Sequence, residues 1–227
     1  MAYVRVSHRR FLVTFGPASS TLAWGARELT FTEASTIPQA GVIAWQGTEK
    51  VTAGQRVLIN GAGGGSGSFA IQLAKSRGAH VTGVDNAAKQ QHMRSTGADH
   101  VIDYGRDDFT RPDQPYDVIL DLVARRSVFA YQRALIRGGT YRCVGGSVPA
   151  MLRVVTAGQI VGRFTGRSLG VLAVKTGPAH FQPLAALCVE GQVRTHIDRT
   201  FTLEEVPAAL ARVGEGRALG KVVVVPS

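Results

Sequence analysis

Cysteine, histidine clusters, acidic charge and long apolar runs are all scarce in this chain. Only Cys143 and Cys188 are present among 227 residues. They lack CxxC spacing and sit in apolar runs, so both are expected to be buried, inert thiols. The six histidines (His8, His80, His92, His100, His180, His196) are scattered. No His-Glu-x-x-His occurs, and no His/Cys cluster has zinc spacing, so no metal site is expected. Acidic residues number 16 against 26 Lys and Arg, a formal charge of +10. The basic residues are dispersed and mostly arginine. Their only tight clusters are His8-Arg9-Arg10 and Arg125-Arg126. Without a basic stripe carrying interleaved aromatics, a nucleic-acid partner is not expected. A solvated basic surface that attracts anions such as nucleotides is the plainer reading. No run is long and apolar enough to cross a bilayer, so no membrane partner is expected. The first ten residues lack the apolar core of a signal peptide, and a cytoplasmic location is expected. What remains, 44% hydrophobic and 19% charged, is enough for one large domain, or one domain plus a fragment.

The organising stretch is residues 56–75. Val57, Leu58 and Ile59 read as a buried parallel strand. Gly61, Gly63, Gly64, Gly65 and Gly67 follow, and then Phe69, Ile71, Leu73 and Ala74 at spacings that suit a helix packed on a sheet. Strand, glycine turn and helix together make a phosphate cradle. Backbone N–H groups approach a pyrophosphate where Cβ atoms are missing, and the helix N-terminus faces the negative charge. The spacing departs from the strict G-x-G-x-x-G. Aligned on Gly64 and Gly67, the first glycine position holds Ala62, whereas Gly61, Gly65 and Gly67 read as G-x-x-x-G-x-G.

Strands are predicted near 80–84, 100–104, 117–123, 140–144, 167–174 and 221–225. Helices are predicted over 33–47, 87–95, 127–136, 181–190 and 203–213. Thr30 or Thr32 would cap the first helix, and Pro38 would sit in its first turns or kink it. Alternating strands and helices predict a Rossmann-type α/β fold with a doubly wound parallel sheet. A cofactor then binds at the C-terminal strand ends. The residues there are Asp85, Tyr104, Val123-Ala124 and Gly145-Gly146, each also explicable as turn chemistry. Asp85 lies 18 residues after Gly67, where an acidic residue hydrogen-bonds an adenosine ribose; otherwise it caps the next helix.

Taken together these stretches resemble the cofactor-binding half of the zinc-free, quinone-oxidoreductase-like medium-chain dehydrogenase/reductases. The matching motifs are Leu29-Thr30-Phe31-Thr32-Glu33-Ala34, Ile37-Pro38-Gln39-Ala40-Gly41, Gly54-Gln55-Arg56-Val57-Leu58-Ile59-Asn60-Gly61-Ala62 and Phe69-Ala70-Ile71-Gln72-Leu73-Ala74-Lys75. Further along are Gly97-Ala98-Asp99-His100-Val101-Ile102-Asp103-Tyr104, Tyr116-Asp117-Val118-Ile119-Leu120-Asp121, Ile197-Asp198-Arg199-Thr200-Phe201 and Gly220-Lys221-Val222-Val223. The likeness runs from about Leu22 to the C-terminus.

The resemblance implies that Gly61, Ala62, Gly63, Gly64, Gly65, Ser66 and Gly67 hold the pyrophosphate of NADPH or NADH. It places Lys89 at a 2′-phosphate, Tyr104 near the adenosine, and Val123, Ala124, Gly145 and Gly146 around the nicotinamide. Asp85 would repel a 2′-phosphate, so the choice between the two cofactors stays open. Ala124 stands where glycine is common and Ser66 where valine is common. The family's catalytic domain normally precedes this part. Residues 1–35 are therefore expected to be a remnant of that domain, 36–192 the dinucleotide-binding domain, and 193–227 a segment that packs on the catalytic domain. The function implied is hydride transfer to a small quinone or enone, without zinc, and the partner a second copy joined through the edge strand at 167–174. The alternative is a dinucleotide-binding module without turnover. A short-chain dehydrogenase needs Tyr-x-x-x-Lys, which no tyrosine here provides. No residue is assigned acid/base chemistry.

Overall fold

The computed structural model describes residues 29–226, preceded by the backbone of two short strands, β1 (Ala2–Val6) and β2 (Arg9–Val13), paired antiparallel. Gly16-Pro17-Ala18-Ser19-Ser20, whose Gly-Pro and serines are a loop signal, and the start of the family likeness at residues 22–28 lie outside the described residues.

The helix predicted for 33–47 is three pieces: α1 (Phe31–Thr36), a π turn over Ile37–Gly41, and α2 (Val42–Thr48). Thr30 starts it with a capping box: its hydroxyl accepts from the Glu33 N–H, while the Glu33 carboxylate accepts from the Thr30 N–H. The widened turn coincides with Pro38, which has no N–H to donate and whose ring crowds the preceding carbonyls.

The alternating part follows: β3 (Arg56–Asn60), α3 (Gly65–Ser76), β4 (His80–Asp85), a 3₁₀ turn (Ala87–Lys89) leading into α4 (Gln90–Ser95), and β5 (His100–Asp103). Next come β6 (Tyr116–Asp121), α5 (Val128–Ala134), β7 (Leu135–Cys143), α6 (Val148–Thr165), β8 (Ser168–Val171) and α7 (Pro178–Val189). Strands β3 to β8 form one six-stranded sheet in the order β5-β4-β3-β6-β7-β8, parallel throughout. The predicted Rossmann-type parallel sheet is therefore present. Its order reverses between β3 and β6, and the crevice above that point is where such sheets bind ligands.

Both faces of the sheet are covered, which explains the unbroken apolar strands. On one face Val57, Ile59 and Val81 pack with Phe69, Ile71 and Leu73 of α3 and Leu184 of α7. On the other, Leu58, Val84, Ile119 and Tyr141 pack with Val128 and Tyr131 of α5 and Val154 of α6. Both cysteines are buried, as expected, and neither is in a disulfide.

Two expectations need correction. Helix α5 ends at Ala134, and residues 135–139 already belong to β7 rather than to a helix tail. The stretch after Pro149, which has no predicted helix, forms the 18-residue α6. The chain then adds β9 (Ile197–Phe201), α8 (Val206–Gly214) and β10 (Lys221–Val224). β9 and β10 make a separate parallel pair. The valine-rich β10 thus has a strand partner, and its neighbour Gly220 bridges to Gly64 in the glycine loop.

Candidate cofactor site

The glycine loop is shaped by a few obligatory contacts. Gly61 turns the chain out of β3 with φ +86°, a backbone state that favours glycine. Its N–H and that of Ala62 both donate to the Val84 carbonyl, fixing the loop over the end of β4. A Cβ on Gly67 would collide with the carbonyls of Gly61 and Ala62, so the helix approaches the loop only because that residue is glycine. Gly64 differs, because a Cβ there would meet only the Gly61 carbonyl, at 3.5 Å. Gly64 caps α3 without a side chain. The first helical bond runs from the Ser68 N–H to the Gly64 carbonyl. The Gly65 N–H faces the Gly220 carbonyl in the bridge between the two strands of chain, which leaves the amides of Ser66 and Gly67 as the open donors at the start of a 12-residue helix. Such an end favours an anion by donor geometry and by dipole.

A cavity of about 500 Å³ opens at this point, lined by residues from the loop and from the C-terminal ends of β3, β4, β5 and β6. It gathers Gly61, Gly64, Gly65, Ser66, Asp85, Lys89, Tyr104 and Val123 from the residues singled out in the sequence. Ala62, Gly63, Gly67, Ala124, Gly145 and Gly146 are not on its wall. Ala62, Gly63, Gly67 and Ala124 are buried, whereas Gly145 is half-buried and Gly146 exposed. Ala62 is fully buried in the core. A Cβ on Gly145 would strike the Leu122 carbonyl, and one on Gly146 would come 2.8 Å from the Ala124 Cβ. These glycines let β7 close against the turn after β6.

Asp85 and Lys89, in conflict on paper, form a pair. Asp85 is 7% exposed and Lys89 6%, and the ammonium lies 3.5 Å from the carboxylate. The same carboxylate accepts from the Gly63 N–H at 3.0 Å and from the Asn86 N–H at 2.9 Å. Asp85 therefore braces the glycine loop as well as facing the cavity. Its charge is offset by one cation and two amide dipoles.

Several lining residues escaped the sequence reading as site residues: Asn60, Asn86, Phe109, Leu122 and Gly216. Arg125 and Arg126 also line the cavity; the sequence marks them only as a basic cluster. Arg126 lies over the Phe109 ring, 5.6 Å from its centroid. Asn60, Asn86 and Leu122 stand one residue from, or at, a strand end, which was the available signal. Phe109 and Gly216 arrive from distant loops and carry none. Asn86 holds the Gly216 carbonyl through its amide N–H. Its Oδ1 is the one buried side-chain acceptor without a partner among the described residues.

The C-terminal segment reaches the same loop. The Gly220 N–H donates to the Gly63 carbonyl, and the Lys221 stem packs on Gly65. Burial lowers the Lys221 pKa. Nearby, Ser68 in α3 shares a hydrogen bond of 2.8 Å with His92, and His92 meets the His196 ring edge-on at 5.1 Å. Burial holds both imidazoles below their ordinary pKa. His196 adds to this at His92, and Arg194 at His196.

The open amides of Ser66 and Gly67 and the paired charges beside the cavity fit a dinucleotide. Zinc is a different case. Among the described residues no three His, Cys, Asp or Glu side chains converge to hold a metal.

Residues 96–224 match the family model described as zinc-binding dehydrogenase. The mitochondrial NAD(P)H oxidoreductase RTN4IP1 of Mus musculus is 34% identical over 87% of this chain and 56% of its own length. The 2-methylene-furan-3-one reductase of Solanum lycopersicum is 32% identical over 88% of this chain and 48% of its own. In solved structures, the quinone oxidoreductase from Coxiella burnetii superposes with a TM-score of 0.75 at 29% identity, over 86% of this chain and 61% of that one. The chain thus spans about half the length of the curated relatives it matches.

Proposed function

This chain belongs to the zinc-binding dehydrogenase family, and we propose that it is the cofactor-binding part of an NAD(P)H-dependent oxidoreductase that reduces a small quinone or enone. The observation that carries this reading is the helix start with open amides at Ser66 and Gly67 beside a cavity of about 500 Å³ at the sheet's switch point. Gly61 to Gly67, with Lys221 behind them, hold the pyrophosphate in this reading. Asp85, Asn86, Lys89 and Tyr104 hold the adenosine, and Val123 with Ala124, Gly145 and Gly146 shape the nicotinamide end. A bound nicotinamide supplies the hydride, while the protein orients it and keeps water out.

NADPH is the preferred cofactor in this proposal. Asp85 is already balanced by Lys89 and two N–H groups, and Arg125 and Arg126 add positive charge at the rim. The division into residues 1–35, 36–192 and 193–227 is proposed on the same family likeness. So is a homodimer through the β8 edge. A cytoplasmic location is a further proposal. No described helix is long and apolar enough to cross a membrane, and subcellular fractionation tests the location directly.

The test is titration with NADPH and with NADH, following nicotinamide fluorescence, and then addition of a quinone. One extra charge-assisted contact predicts an NADPH preference on the order of tenfold. Equal affinities would remove the NADPH assignment, and binding of neither would remove the site. A second reading, a binding module without turnover, is favoured by the cavity wall. Among the described residues no histidine, cysteine or glutamate lines it, and its one carboxylate, Asp85, is engaged by Lys89 and two backbone amides. Binding without oxidation by the quinone would select it.

A further inference from the structure

Asp121 ends β6 and has no exposed surface at all. Its side chain does not line the cavity. Among the described residues no cation pairs with it; neutral donors surround it instead. Oδ1 accepts from the Asn60 amide at 2.8 Å, from the Val123 N–H at 3.0 Å and from the Ala124 N–H at 2.8 Å. Oδ2 accepts from the Tyr141 hydroxyl at 2.9 Å. A buried carboxylate without a counterion is costly, so its place is informative about what its donors require.

Those donors come from the two strands that flank β6 and from the turn that follows it. Asn60 ends β3, Val123 and Ala124 form the turn after β6, and Tyr141 stands in β7. The turn is an unfavourable piece of chain. Ala124 has φ +53°, the only positive φ among the described residues other than glycine, a state that persists only when its surroundings impose it. Two cavity-lining residues, Asn60 and Val123, bond directly to Asp121.

We propose that Asp121 is the positioning residue of the site, fixing the Leu122–Val123 wall and Asn60 at the switch-point end of the cavity. This rests on the reading of the cavity as a dinucleotide site. It assigns Asp121 no contact with the cofactor; its effect passes through the turn.

The test compares NADPH affinity and thermal midpoint across four proteins: wild type, Asp121→Ala, Asp121→Asn, and Leu135→Ala. The last is a core truncation at the opposite, N-terminal end of β7. Asp121→Ala leaves the turn amides unpaired and is expected to weaken binding at least tenfold, measured well below its own melting temperature. Asp121→Asn keeps an acceptor for Val123 and Ala124 and should restore affinity to within about threefold of wild type. Leu135→Ala should lower the midpoint with no comparable loss of binding. Should Asp121→Ala fail to fold, Asp121→Ser carries the same prediction with a severalfold loss. Wild type that binds neither NADPH nor NADH would overturn the dinucleotide reading and this proposal with it. Wild type that binds, alongside a folded Asp121→Ala of equal affinity, would overturn this proposal alone. Affinity losses that track the midpoint in all variants would reduce Asp121 to a structural role and overturn it too.

Discussion

Single atoms decide which glycines the loop requires. Gly64 and Gly67 look equivalent as two positions of a fingerprint, yet an added methyl meets different surroundings at each. At Gly67 it strikes two carbonyls of the turn, which move only if the loop moves. Gly67→Ala should therefore cost about 1–3 kcal/mol of stability, in the range of overpacking, and abolish NADPH binding. At Gly64 the methyl is accommodated in the fold, with one backbone contact at 3.5 Å and φ −90°. Gly64→Ala should melt within about 2–4 °C of wild type, a shift equivalent to roughly 1 kcal/mol or less. Any affinity it loses then reports the approach of a ligand rather than damage to the fold. Thermal unfolding beside fluorescence titration checks both variants, and equal melting temperatures would show that the Gly67 contact relaxes at little cost. Spacing alone did not separate these residues. Nor did it reveal that Asp85 and Lys89 neutralise one another, because the pairing depends on the 3₁₀ turn that brings residues four apart together.

Among the elements, those that obey one period were legible and those with mixed signals were not. β3, α3 and β4 carry unbroken apolar strands and a helix between them; the sequence places both strands within about a residue, while α3 begins at Gly65, inside the glycine run and four residues before Phe69. α6 was missed although its start is well marked. The Ser147 hydroxyl accepts from the Ala150 N–H, and Pro149 sits in the first turn, as prolines commonly do. Its period is blurred because Val148, Leu152, Ile160 and Phe164 are exposed while Val154 is buried. The contact between the β9–β10 pair and the glycine loop was equally hidden, since it joins residues far apart in the chain. It runs from His92 through the His196 ring, whose residue accepts from the Lys221 N–H, to Gly220 and the Gly63 carbonyl. Lys89 and Arg194 also oppose charge on these rings, while Asp85 and Asp198 favour it. Asp198 is itself held by Arg212. With both imidazoles lowered, the folded chain binds fewer protons than the unfolded one below about pH 6.5. Their contribution is present above that value and is lost as pH falls through the lowered folded pKa values. The melting temperature of wild type should fall between pH 7.5 and 5.5, and that of His196→Gln should fall less. Parallel slopes for the two proteins would remove the histidine pair as the cause.

At the scale of the whole molecule the parallel sheet has two unlike ends. β5 lies at one and β8 at the other, and among the described residues β8 pairs only with β7. Beside β8, α6 presents Leu152 at 61% exposed, Ile160 at 61% and Phe164 at 85%. An open strand edge next to exposed apolar side chains is a surface that proteins either blunt or pair. In the proposed homodimer, β8 would add to β8 of a second copy, and α6 would bury these side chains. The charge of +10 per chain opposes that association, and added salt screens it. Sedimentation at tens of micromolar should therefore show a dimer that tightens as ionic strength rises from about 0.05 to about 0.3 M. Ile160→Glu with Phe164→Glu should yield a monomer at the same concentration. Both side chains are exposed, so each change should alter the stability of the isolated fold by no more than about 0.5 kcal/mol. A wild-type monomer under both salt conditions would sink the edge-to-edge dimer. A dimer that survives both glutamates would move the contact away from α6 and leave these residues as isolated surface hydrophobics. Association that weakens with salt would instead point to an interface held by charge, in which this apolar face has no part.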